Sequence, residues 1–86
     1  MEIKTLGPNQ RELTLRDGTK ILFSYDTPVA AYLPPAAGKL EGHYQTGSYY
    51  SKTTTRHIHG WMQSRGVVAP GILPAAELAE IVKGAA

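Results

Sequence analysis

The strongest constraint on the fold of this chain is a predicted β-hairpin around the pair Asp17-Gly18. Residues 12–15 (ELTL) alternate polar and apolar side chains, which is typical of a half-buried strand. Asp-Gly is a favoured pair in tight hairpin turns, because glycine accepts a positive φ angle. Residues 19–24 (TKILFS) predict the partner strand. The chain should therefore contain an antiparallel pair of strands near its start.

The rest of the chain predicts further strands within a single α+β domain over residues 1–86. They are expected at residues 3–6, 29–32 and 43–46. Tyr49 and Tyr50 are expected to continue the last strand after a turn at Gly47. Residues 33–42 contain a Pro-Pro pair and glycine, which predicts a loop that separates two strands. We expect a small antiparallel sheet of three to five strands.

Two helices should pack on this sheet. The spacing of apolar residues predicts a central helix over about residues 54–65, with Gly66 suited to its C-terminal end. Residues 67–73 are interpreted as an apolar connector. Pro74 suits the first turn of a short C-terminal helix over about residues 74–84.

Charge is unevenly distributed along the sequence. The formal net charge is only +2, which is weak evidence for a nucleic-acid partner. However, residues 42–76 contain no carboxylate, although they hold Lys52, Arg56, Arg65 and all three histidines. This pattern predicts a local positive field on a nearly neutral molecule.

The start of the central helix is the main candidate for a binding site. Hydroxyl residues at 51 and 53–55 are of the type that caps a helix N-terminus. The usual first-turn acid is missing, and Lys52 and Arg56 add positive charge to that of the helix dipole. One interpretation is a simple cap with solvated cations, and the other is a site for an anion or an acidic partner. The predicted partner-binding residues are Tyr49, Lys52, Thr53, Arg56 and Arg65.

Other prominent side chains in this region have structural interpretations. At helical spacing Ile58, Trp61 and Met62 form one apolar stripe, which predicts a buried face. His57 and His59 should flank this stripe. They lie two residues apart on a helix, so they cannot chelate one metal ion, and no metal or cofactor is expected.

The sequence lacks recognisable catalytic motifs. It has no cysteine, no nucleophile elbow, no phosphate loop and no paired carboxylates in an apolar setting. A hydrolase site assembled from Asp26, His43 and Ser51 has no specific support, so we expect a binding protein without enzyme activity. No signal peptide or long apolar stretch is visible, which predicts a cytoplasmic location.

Two segments of this chain resemble a family of small uncharacterised domains in phage, archaeal-virus and mobile-element proteins. Residues 23–30 (FSYDTPVA) are similar to its SYxTPVA motif, and residues 50–58 (YSKTTTRHI) to its SxTTxxHI motif. The resemblance covers roughly residues 11–62 and implies a small β-rich fold of phage or mobile-element origin, with no implied activity. The Pro-Pro-Ala-Ala-Gly loop and the C-terminal helix depart from the family pattern.

Two functions are expected from these features. The first is a phage-type protein that docks on a host protein complex through its basic face, as a defence inhibitor comparable to an anti-CRISPR protein. The alternative is direct nucleic-acid binding through Lys52, Arg56 and Arg65, with a stacking tyrosine.

Overall fold

The computed structural model of the chain describes residues 2–35 and 41–84. These residues form a six-stranded sheet and two helices, which confirms the predicted α+β class. The elements in chain order are β1 (Glu2–Gly7), β2 (Gln10–Thr14), β3 (Lys20–Ser24), β4 (Thr27–Leu33), β5 (Gly42–Thr46), α1 (Lys52–Ser64), β6 (Gly71–Leu73) and α2 (Ala75–Gly84). The strands lie in sequence order across the sheet. All neighbouring pairs are antiparallel except β5 and β6, which are parallel.

The predicted hairpin is present as β2 and β3. Leu15 and Thr19 close the turn, with the Leu15 N–H donating to the Thr19 carbonyl at 2.8 Å. Gly18 adopts a φ of 94°, a conformation that favours glycine. The Asp17 side chain accepts a hydrogen bond from the Thr19 N–H at 2.9 Å, and this bond lowers the pKa of the Asp17 carboxyl.

Each face of the sheet carries one helix. Adjacent strand residues point to opposite faces, so Ile21 packs with Leu78 of α2, whereas Leu22 packs with Ile58 of α1. The cluster on the α2 face comprises Leu13, Ile21, Ala31, Leu33, Leu73 and Leu78. The cluster on the α1 face comprises Leu22, Val29, Ala30, Ile58, Trp61 and Met62. The prediction of a buried stripe in the central helix is thereby confirmed.

The structure refines the predicted bounds of α1. The helix begins at Lys52, two residues before the predicted start, because the Ser51 side chain caps it and accepts from the Thr54 N–H at 3.1 Å. It ends as predicted before Gly66, which has a φ of 71°. The N–H groups of residues 66 and 67 donate to the carbonyls of residues 63 and 62, forming a Schellman motif.

Two predictions for strands differ from the structure. Residues 67–73 were expected to be a connector, but Gly71–Leu73 adds a sixth strand beside β5. Three residues are too few to show a period, so only their pairing defines this strand. The prediction that Tyr49 and Tyr50 continue β5 was wrong, because the chain leaves β5 after Thr46 and bends at residues 47–48. There the Thr46 hydroxyl accepts from the Ser48 N–H at 3.1 Å.

The predicted loop at residues 33–42 is described only at its ends. Leu33 ends β4 and Gly42 begins β5, while residues 36–40 lie outside the described residues. Within the described ranges, neither helix is long and apolar enough to cross a membrane.

Candidate functional site

Four of the five predicted binding residues lie around the beginning of α1 and are exposed. Tyr49 is 72% exposed and precedes the Ser51 cap. Lys52, Thr53 and Arg56 lie in the first turns of the helix. We call Tyr49, Lys52, Thr53 and Arg56 the α1 N-terminal surface.

The α1 N-terminal surface carries uncompensated positive charge. Lys52 and Arg56 are four residues apart, which places them on the same side of the helix. Neither has an ion-pair partner among the described residues, and the first turn of α1 contains no acid. The free N–H groups of the helix start add partial positive charge. An acidic group approaching this surface would therefore meet two cations for which no residue in the described part of the chain competes.

A buried hydrogen-bond cluster lies beneath this surface. Ser24 at the end of β3 places its Oγ 2.9 Å from Thr54 Oγ1 and 2.7 Å from His57 Nδ1. All three residues are buried, and Ser24 is only 2% exposed. The Ser24 hydroxyl is enclosed, and a substrate cannot reach it. Because its contacts join β3 to α1, this serine–histidine pair fixes α1 to the sheet. The cluster therefore holds the exposed residues of the first helical turns in place.

The two neighbouring histidines have different environments. The prediction that both flank the apolar stripe at its boundary is refined, since His57 is buried, whereas His59 is exposed. Sequence reasoning did not identify Ser24 as the partner of His57. The available signal was a polar residue two positions after Leu22, on the same face of a strand that contributes to the core.

Tyr25 is a further residue of this region that sequence reasoning missed. It forms the two-residue turn between β3 and β4 with Asp26 and has a φ of 58°, which is unusual for a residue other than glycine. Its N–H donates to the Asn9 carbonyl at 2.7 Å. The side chain is 46% exposed, and its ring centroid lies 6.1 Å from that of His57. Tyr25 thus adds an exposed aromatic group near the start of α1.

Arg65, the fifth predicted binding residue, lies at the other end of α1. A helix of 13 residues is roughly 20 Å long, so Arg65 is separated from the α1 N-terminal surface. Its Nε donates to His43 Nε2 at 2.8 Å. Its guanidinium carbon lies 5.1 Å from the Trp61 ring centroid and 5.5 Å from that of Tyr32. The Arg65 side chain, which is 25% exposed, is therefore held by intramolecular contacts.

The contacts of Arg65 belong to a cluster centred on Glu12. Trp61 Nε1 donates to Glu12 Oε1 at 2.9 Å, and Arg65 NH1 lies 3.9 Å from the same oxygen. Lys20 Nζ lies 3.7 Å from Glu12 Oε2. Burial and the positive charge of Arg65 lower the pKa of His43. This cluster secures the C-terminal part of α1 against the sheet.

The three residues considered for a hydrolase site have separate environments. Asp26 pairs with Arg11 at 2.7 Å on the surface, whereas His43 accepts from Arg65 and Ser51 caps α1. Across residues 2–35 and 41–84, no group of three or more potential ligands could hold a metal ion. The arrangement at the start of α1 offers charge, hydroxyl groups and aromatic rings for recognition.

The fold and this surface define a small α+β domain with a candidate binding surface at the start of its first helix. The chain belongs to a family of unknown function, DUF8033, whose model matches residues 1–71. This range includes β1 to β5 and α1, whereas α2 lies beyond it. No curated protein and no solved structure matches the chain significantly.

Proposed function

We propose that this protein binds a partner protein through the α1 N-terminal surface and performs no chemistry itself. The observation that carries the proposal is the pair of exposed cations, Lys52 and Arg56, without an internal ion-pair partner in the described part of the chain. Tyr49 adds a large exposed aromatic side chain beside them. Tyrosine and arginine are enriched at protein interfaces. The complementary partner surface is acidic.

The number of available cations favours a protein partner over a nucleic acid. Duplex binding depends on neutralising several phosphates, and each neutralised phosphate contributes to the salt dependence of affinity. Of the three basic residues considered for that role, Arg65 is held by His43, Trp61 and Tyr32. Two cations suffice for steering toward an acidic protein patch, whereas they give little affinity for DNA or RNA.

The partner we propose is a host protein complex, with this protein acting as a phage or mobile-element binding protein that inhibits host defence. The support for this finer statement is the sequence resemblance in residues 23–30 and 50–58, together with the small size of the chain. A small binding protein can block a larger assembly by occupying an acidic surface that a basic component of the assembly needs.

Site-specific photocrosslinking tests the location of the interface. A photoreactive aromatic residue replacing Tyr49 should crosslink a defined protein in host cells. The same residue replacing Val68, which is 97% exposed beyond the other end of α1, serves as the matched control and should not crosslink it. Equal crosslinking from both positions, or crosslinking from Val68 alone, would place the interface elsewhere.

Charge reversal then tests the cations against the identified partner. The variant Lys52→Glu/Arg56→Glu and the control Arg16→Glu/Lys83→Glu each change the net charge from +2 to −2 and alter exposed residues. We expect the first variant to lose at least about 10-fold in affinity by calorimetry, and the control to lose much less. Circular dichroism confirms that both remain folded. Unchanged affinity in the first variant would refute the proposed surface.

Salt titration tests the nucleic-acid alternative. With Lys52 and Arg56 as the two phosphate contacts, log K for duplex DNA should fall with log salt with a slope of about −2. Measurable binding with that slope, abolished by Lys52→Glu/Arg56→Glu, would favour the alternative. Absence of binding at low salt would eliminate it.

A further inference from the structure

The two edges of the sheet differ in how accessible they are to another strand. At one edge, β6 has three residues and is flanked by Pro70 and Pro74, which lack N–H groups. At the other edge, β1 has six residues, and all except Gly7 are exposed. One side of β1 pairs with β2, so its other side presents backbone N–H and carbonyl groups for pairing.

The side chains of β1 are arranged for pairing with a second copy of the same strand. Glu2 and Lys4 point to the α1 face, and Ile3 between them points to the α2 face. In an antiparallel pair that places Ile3 opposite Ile3 of a second copy, Glu2 of each copy lies opposite Lys4 of the other. This two-fold arrangement therefore forms two equivalent pairs of opposite charge.

The two nearest registers toward the end of β1 are less favourable. A shift by one residue would place side chains of the α1 face opposite those of the α2 face. The register that places Lys4 opposite Lys4 sets like charges against each other. Within residues 2–35 and 41–84, neither Glu2 nor Lys4 has an ion-pair partner, so both are available for the intermolecular pairs.

The apolar face also continues across the proposed junction. Ile3 is 68% exposed and lies beside Leu13 in the sheet, and both line a cavity with Phe23. In the two-fold arrangement the α2 faces of both copies lie on the same side, so Ile3 of one copy would contact Ile3 of the other. We propose that this protein forms a homodimer by antiparallel β1–β1 pairing in the register Glu2–Lys4, Ile3–Ile3 and Lys4–Glu2.

This dimer uses none of the residues of the α1 N-terminal surface, and it should be weak. In this register residues 2–4 of each copy lie opposite residues 4–2 of the other, and so short a contact buries less area than the roughly 1,200 Å² of a standard stable interface, so we expect a dissociation constant on the order of 0.1 mM. The resulting sheet would have twelve strands, twice the six of one chain.

Sedimentation velocity with charge-swap variants tests the register. Glu2→Lys or Lys4→Glu converts both charge pairs into like-charge pairs, and each variant alone should dimerise at least about 10-fold more weakly than the wild type. An equimolar mixture of the two variants should regain wild-type association, because lysine of one chain then lies opposite glutamate of the other at both positions. The double variant Glu2→Lys/Lys4→Glu should also dimerise like the wild type.

Three results would overturn the proposal. The first is a wild-type protein that remains monomeric at concentrations about tenfold above the expected dissociation constant. The second is association that is unaffected by either single charge swap, which would indicate stacking through the apolar face. The third is a mixture of single variants that associates no better than each variant alone. Circular dichroism of every variant checks that the domain remains folded.

Discussion

Replacing Trp61 with phenylalanine tests the cluster that fixes α1 to the sheet. Trp61 is 4% exposed, and its Nε1 donates to Glu12 Oε1 at 2.9 Å. Phenylalanine keeps most of the apolar contact but lacks this donor. The change therefore separates the hydrogen bond from general burial.

The expected loss of stability is about 2.5–4 kcal/mol. A hydrogen bond to a charged group contributes about 1.5–3 kcal/mol, and the smaller ring adds roughly 1 kcal/mol of lost packing. The Glu12 side chain is only 12% exposed, so water replaces the lost donor poorly. A domain of 86 residues has a free energy of unfolding of roughly 4–13 kcal/mol, so this loss is a large fraction of the total.

Urea unfolding followed by far-ultraviolet circular dichroism measures this change. Trp61 is the single tryptophan, so its fluorescence cannot be compared between wild type and variant. A double-mutant cycle with Glu12→Ala should show a coupling free energy of about 1 kcal/mol or more. Tyr49→Phe, a change at a residue that is 72% exposed, should alter stability by less than about 0.5 kcal/mol.

A loss below about 1 kcal/mol for Trp61→Phe, or a coupling free energy near zero, would refute this account. The indole would then be a packing group whose hydrogen bond to Glu12 makes no net contribution. A changed denaturant slope would instead show that the variant alters the unfolded ensemble or the two-state behaviour.

Two further predictions concern glycine and pH. Gly60→Ala should stabilise the protein by about 0.5–1 kcal/mol, because a Cβ at this position within α1 meets open space. Gly66→Ala should destabilise the protein by about 1 kcal/mol or more, because Gly66 has a φ of 71°. Urea or thermal unfolding measures both glycine variants. Equal effects at the two sites would contradict this reasoning. Since the folded protein lowers the pKa of His43, the contribution of His43 to stability should be complete above about pH 6.5 and be lost as the pH falls toward its folded pKa. The variant His43→Gln retains an acceptor for Arg65 but does not titrate. The urea midpoint of this variant should therefore change less between about pH 7.5 and 5.5 than that of the wild type. Identical pH profiles of the two proteins would exclude this role of His43.

Local features of the sequence determined much of the secondary structure. The hairpin at Asp17-Gly18 depends on a turn whose φ angle favours glycine. The buried face of α1 follows from the helical spacing of Ile58, Trp61 and Met62. These signals act within a few residues, so they can be recognised from the sequence alone.

Exposure at the start of α1 was partly predictable. The missing first-turn acid and the cations at 52 and 56 indicated a positive helix start, and the structure leaves both exposed. Tyr49 and Tyr50 are both exposed, whereas a strand would have turned one of them inward. Their exposure depends on the bend at residues 47–48, which strand alternation does not predict.

Only the tertiary structure decided which distant side chains meet. Ser24 and His57 are separated by 33 positions, and Trp61 and Glu12 by 49. Arg65 has the same charge in the sequence as Arg56, but the first is engaged by His43 and the second is exposed. Such contacts depend on strand order, on register and on the face that each helix covers. A local pattern contains none of this information, because the same residues could meet other partners if the sheet were ordered differently.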